Sequence, residues 1–124
     1  MEELLARVTA ATGLDAATAT KAIGIILAFL KKEGPPEEIG KLFAAMPGAE
    51  AAAAQAGNGG GLAGMVSSMG GGVMALGGQL MGAGLSMDQM QTVGRELFAF
   101  GREKAGEDKM GEIIGQVPGL SQFV

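Results

Sequence analysis

Residues 13 to 50, GLDAATATKAIGIILAFLKKEGPPEEIGKLFAAMPGAE, fall without a gap on residues 84 to 121, GLSMDQMQTVGRELFAFGREKAGEDKMGEIIGQVPGLS, when the chain is shifted by 71 positions. Gly13 meets Gly84, Leu14 meets Leu85, Ala28 meets Ala99, Phe29 meets Phe100, and Gly40, Pro47 and Gly48 meet Gly111, Pro118 and Gly119. Identity is low, but the apolar spacing repeats more faithfully. Ile39, Leu42, Phe43 and Met46 recur at i, i+3, i+4, i+7, the one-sided stripe of an amphipathic helix, and Met110, Ile113, Ile114 and Val117 carry the same stripe. Both end in Pro-Gly, where proline cannot continue a helix and glycine supplies the turn.

Upstream, Asp15 and Ser86 occupy matching positions after Gly-Leu. Each is a good N-cap, because its side-chain oxygen can accept a bond from an amide that the first helical turn leaves unpaired. The first copy then predicts a helix from Ala16 to Lys32, with Ala22, Ile23, Ile26, Leu27 and Leu30 facing inward and Ile25 and Phe29 making it apolar nearly all round. Such a helix belongs at the centre of a bundle. In the second copy Met90, Val93, Leu97 and Phe100 form a stripe, while Arg95, Glu96, Arg102 and Glu103 mark a solvated face, which predicts a more peripheral helix.

The same shift carries Glu2 to Ala11 onto Val73 to Gly82, with Leu5 on Leu76 and the apolar set Val73, Leu76, Leu80 at helical spacing. Glycine has replaced charge in this second version. Each interior glycine loses roughly 1 kcal/mol relative to alanine, so the helix should form only when packed. Between the copies, AAAAQAGNGGGLAGMVSSMGG (51 to 71) reads as a linker whose alanines prolong the third helix by a turn or two before a glycine-rich break. The expected architecture is an all-α helical bundle in one domain, 1–124. It has two related three-helix units, 1–50 and 72–121, joined by the flexible Gly/Ala-rich linker 51–71.

The stretches EELLARVTAATGLD and AIGIILAFLKKEGPPEEIGKLFAAMPG resemble small bacterial all-helical proteins catalogued only as domains of unknown function. These combine a short helix, a Gly-Leu-Asp turn, a long apolar helix, and an amphipathic helix closed by Leu-Pro or Met-Pro. The resemblance covers residues 2 to 50 well and 84 to 121 more loosely, and leaves out the glycine-rich middle. It implies an all-α fold in a bacterial cytoplasm. The shared motif is structural, so it carries over no catalytic residue and no activity.

Composition narrows the function classes. A chain of 124 residues is long enough to bury one self-supporting core. Its five aromatic residues are all Phe, so Ala, Leu, Ile, Val and Met must fill that core, which favours helices over strands. Net charge is -4 and no basic cluster exceeds Lys31 and Lys32. No nucleic-acid partner is expected, because such binding needs a cationic stripe. Without cysteine there is no disulfide framework and no thiolate chemistry. The opening MEELLARV is acidic where a signal peptide needs positive charge, which predicts an unexported, cytoplasmic protein.

With no His and no Cys, catalysis would have to rest on carboxylates, Lys, Arg and hydroxyls. Glu37 with Glu38, and Glu107 with Asp108, sit at matching places near the starts of the third helices and suggest an acid/base pair or a hard-metal site. The simpler account is attraction to the positive end of the helix dipole. No Gly-Lys-Ser or Gly-Lys-Thr follows the glycines, so the phosphate-binding loop is not met, and Ser67 and Ser68 have no His to activate them. No catalytic residue, cofactor or metal is therefore expected.

Two features of the middle remain. Residues 51 to 87 carry no charge, and Gly60, Gly64, Ser68 and Gly72 repeat small residues as close-packed membrane helices do. Against a membrane span stand the high glycine content, Ser67, Ser68 and Gln79, and the overlap with a helix that the repeat needs in its bundle; membrane association is the weaker reading. Met65, Met69, Met74, Met81, Met87 and Met90 fall within 26 residues. Thioethers plug gaps in cores, and on a surface they accommodate varied apolar partners. The expected function is a non-enzymatic interaction or assembly protein, using these methionines toward a protein partner or another copy as a homo-oligomer. The rivals are a membrane-associated protein acting through 60–85 and a carboxylate-dependent enzyme or metal binder.

Overall fold

In the computed structural model, residues 2–34, 36–46, 48–57 and 73–116 are described, and they form α-helices with no strand among them. The helices are α1 (Glu2–Thr12), α2 (Ala16–Glu33), α3 (Pro36–Ala45), α4 (Ala49–Gly57), α5 (Val73–Gly82), α6 (Met87–Ala105) and α7 (Glu107–Gln116). The fold is all-α. Val73, Met87 and Glu107, which open α5, α6 and α7, each stand 71 positions after Glu2, Ala16 and Pro36, which open α1, α2 and α3.

From Ala22 to Leu30 apolar side chains surround α2, with Lys21 and Lys31 exposed at either end of this stretch, and the bundle closes on it from several sides. Ala22, Ile23, Ile25, Ile26, Leu27, Phe29 and Leu30 are all buried. Its neighbours are α1, α3, α4, α5 and α6. Each Ile, Leu or Phe side chain taken fully out of water contributes about 1.5–3 kcal/mol. No polar or charged side chain is buried among the described residues, so this gain is not offset by desolvation.

The expectation of a peripheral helix over the second copy is corrected by the structure. α6 packs against α1, α2, α3, α5 and α7, and is a second centre of the bundle. Its apolar face is wider than the four-residue stripe, because Phe98, Gly94 and Gly101 are buried beside Met90, Val93, Leu97 and Phe100. A Cβ on Gly101 would lie 2.8 Å from Met110 Sδ and 3.3 Å from Leu42 Cδ1. The missing side chain thus lets α7 and α3 reach α6 together. The buried positions of α6 stand 71 after Ala19, Ala22, Ile23, Ile26, Leu27, Phe29 and Leu30, which are buried as well.

The first helices do not follow suit. Leu4 and Val8 point inward from α1, whereas Leu76 and Leu80 do so from α5, a slip of one residue that leaves Leu5, the counterpart of Leu76, half-buried. One residue is a turn of about 100° on a helix. The two helices therefore present different faces to the core.

The stretch read as a linker, 51–71, is helical through Gly57, and residues 58 to 71 lie outside the described ones. The alanines build a separate helix rather than prolonging α3. After Ala45 the Met46 amide still donates to Leu42 O at 3.0 Å, Gly48 turns the chain at φ +90°, and α4 then starts afresh. Ala49, Ala52 and Ala53 are buried against α2, where short side chains allow close packing, and Lys31 Nζ lies 3.8 Å from Glu50 Oε1. Asp15 also departs from expectation. It holds the N-cap position of α2 but accepts no bond through its side chain.

Candidate interaction surface

The corner between α5 and α6 is fixed at both ends by local chemistry. Gly84 takes φ +101°, a conformation that costs glycine little. The Leu85 amide then donates back to Leu80 O at 3.2 Å and the Gly84 amide to Met81 O at 3.0 Å, the paired bonds that close a helix with a left-handed residue. Leu80 and Leu85 are both buried beside this turn. On the α6 side, Ser86 Oγ accepts from the Gln89 amide at 3.3 Å and the Ser86 amide donates to Gln89 Oε1 at 2.9 Å. Two otherwise unpaired amides are satisfied by this reciprocal pair.

Met81 and Met87 flank this corner and are 60% and 64% exposed, the large hydrophobic side chains most open to water among the described residues. Gly78 and Gly82 lie on the same side of α5 as Met81, at helical spacing, and among the described residues no other part of the chain comes within 4 Å of where their Cβ atoms would stand. No described part of the chain approaches this glycine face. Met90, one turn into α6, is buried with Met46 and Met110, so it fills the core instead of presenting a thioether outward. Met65 and Met69 lie outside the described residues, and Met74 sits on α5 with its side chain outside them.

The carboxylates have a different setting. Glu37, Glu107 and Asp108 are exposed and Glu38 half-buried in the first turns of α3 and α7. Among the described residues no group of three or more Asp and Glu is placed to hold a metal ion. Likewise no single described helix is both long and apolar enough to cross a membrane; α1 and α2 are so only taken together, and they are bent by 111°.

A cluster that the sequence reading missed joins α1 to α6. Arg7 forms an ion pair with Glu103 and another with Glu3, while the Arg7 guanidinium and the Lys104 ammonium lie 5.7 and 5.4 Å from the centre of the Phe100 ring. The i,i+4 pairs Glu3–Arg7 and Phe100–Lys104 were legible as spacings. Their meeting was not. No protein-family model, no curated protein and no solved structure matches the chain.

Proposed function

We propose that this chain is a non-enzymatic interaction or assembly protein built from two related three-helix units, α1–α3 and α5–α7, with α4 laid on the first. The register of helix starts and the matching burial of α2 and α6 support the two-unit reading. The observation that carries the functional reading is the corner bearing Met81 and Met87, two exposed thioethers beside the open glycine face of α5. Unbranched, polarisable side chains over a backbone with little side-chain cover suit a close apolar contact with another protein surface. The bacterial origin and cytoplasmic setting implied by the family resemblance belong to the same proposal.

Size exclusion with light scattering tests self-association, and affinity capture with the full chain tests a distinct partner. Met81→Glu with Met87→Glu should abolish whichever is found while leaving helix content unchanged. A captured partner, or association of chains folded in dilute solution, that survives both substitutions would sink the proposed surface, and a chain that stays monomeric and captures nothing would sink the function.

A further inference from the structure

The helix packing is close to symmetric when α1 is exchanged with α5, α2 with α6, and α3 with α7. α1 packs on α6, and α5 on α2. α1 also packs on α2 and α5 on α6, α3 on α2 and α7 on α6, while the α2–α6 and α3–α7 contacts map onto themselves. The packing of α3 on α6 departs from this pattern. The first helix of each half therefore leans on the long helix of the other half. In an oligomer this arrangement would be called isologous: the same surface on both partners, pairing with itself about a two-fold axis.

Resting on the two-unit reading above, we infer that the halves are exchangeable between copies. The helices α1–α4 of one chain pack on α5–α7 of a second copy, and the reverse, giving a closed dimer that contains the same bundle twice. Every contact between halves is kept in the exchanged form, so no new surface is needed. The balance is set by concentration. Within one chain the two halves are tethered, which raises the effective concentration of each half toward the other above that of a second copy in dilute solution, so the monomer prevails when folding occurs there. Folding at high concentration favours exchange. Once formed, the dimer persists on dilution, because reverting means separating Leu4 and Val8 of α1 from α6, and α2 from α5 and α6, across a buried apolar interface.

Two contacts report on the exchange. Arg7 meets Glu103, and Gln89 Nε2 donates to Thr12 O at 3.3 Å, both between α1 and α6. The chain has no cysteine, so an introduced thiol is unique. Full-length Arg7→Cys and Glu103→Cys chains are unfolded together, refolded at high concentration, fractionated by size, and treated with a short bismaleimide. The expected product is a covalent two-chain species at twice 12.4 kDa, formed by the mixture and not by either chain alone. A second pair, Thr12→Cys with Gln89→Cys, gives the same result if either first substitution disturbs folding. A refolded helical population that remains monomeric, or a dimer that neither pair cross-links, overturns the inference. Adding Met81→Glu and Met87→Glu to both chains separates the two ideas: the exchanged dimer survives, whereas association through the α5–α6 corner is lost.

Discussion

Arg7 on α1 and Glu103 on α6 meet across 96 residues of sequence, with Nη1 2.5 Å from Oε2 and Nη2 3.3 Å from Oε1. Two parallel bonds between guanidinium and carboxylate fix orientation as well as distance. The Phe100 ring lies beside them, its centre 5.7 Å from the Arg7 guanidinium and 5.4 Å from the Lys104 ammonium, and the pair stays open to water while both cations also face an aromatic ring. The hydrogen bond from Arg7 is the largest influence on the Glu103 carboxyl; loss of water around it opposes, the charges of Arg7 and then Lys104 add to the hydrogen bond, and the carboxyl is held below its ordinary range.

A sign follows for pH dependence. Glu103 binds its proton less tightly in the folded chain than in the unfolded one, so its contribution is complete above the ordinary carboxylate range and is lost as pH falls through the folded value. The difference in Tm between wild type and Glu103→Gln should be present at neutral pH, shrink on acidification, and shrink with added salt at neutral pH. Thermal melts across pH and ionic strength measure it. A difference constant with pH would show that the ion pair contributes nothing through charge.

Glycine substitutions should divide by conformation. Gly78→Ala, inside α5 with nothing else among the described residues within 4 Å of its Cβ position, should stabilise by about 0.5–1 kcal/mol, because alanine loses less backbone freedom on folding. Gly13→Ala, at φ +76°, should cost about 1–2 kcal/mol from backbone strain alone. Gly34→Ala should also destabilise, since its Cβ would lie 2.7 Å from Leu30 O and 2.8 Å from Ile39 Cγ1. Urea midpoints at unchanged m-value check all three.

The two N-caps should respond differently. Ser86→Ala removes the Oγ that accepts from the Gln89 amide, while the Ser86 amide keeps its bond to Gln89 Oε1, and it should cost about 1 kcal/mol whatever the salt concentration. Asp15 makes no side-chain bond, so Asp15→Ala should lose only attraction to the helix dipole, about 0.3–1 kcal/mol at low ionic strength and less as salt is added. Equal, salt-independent costs would contradict the geometry of Asp15.

Phe98 tests whether α6 is a true centre. It is buried between helices, and Phe98→Ala should cost about 3–5 kcal/mol, a large share of the 5–15 kcal/mol typical of a whole domain. Phe43, half-buried on α3, should cost clearly less when truncated. Chemical denaturation of both variants decides; similar losses would return α6 to the periphery.

The helix boundaries were largely legible from the sequence. Repeated apolar spacing, Gly-Leu followed by a capping residue, and Pro-Gly act within a few residues of where they stand, and they marked α2, α3, α6 and α7 well. The alanine run failed as a signal because alanine propagates a helix equally well as an extension or as a new element. What separates α4 from α3 is the turn at Gly48 and the burial of Ala49, Ala52 and Ala53 on α2. The candidate surface was half legible. Six clustered methionines look alike in a sequence, yet Met90 is core while Met81 and Met87 are open: Met87 stands at the exposed first position of α6, and Met90 lies on nearly the same face but further along the helix, inside the bundle.

By itself, then, the sequence determined an all-α chain, the places where its helices begin apart from α4, and the recurrence of one pattern after 71 positions, all of them consequences of local periodicity and turn chemistry. Only the tertiary structure decided that α6 is as central as α2, that α1 and α5 turn different faces inward, and that Arg7 finds Glu103. Those choices depend on which non-local packing buries the most apolar surface with every polar group satisfied. That sum is taken over the whole bundle, and no stretch of sequence contains it.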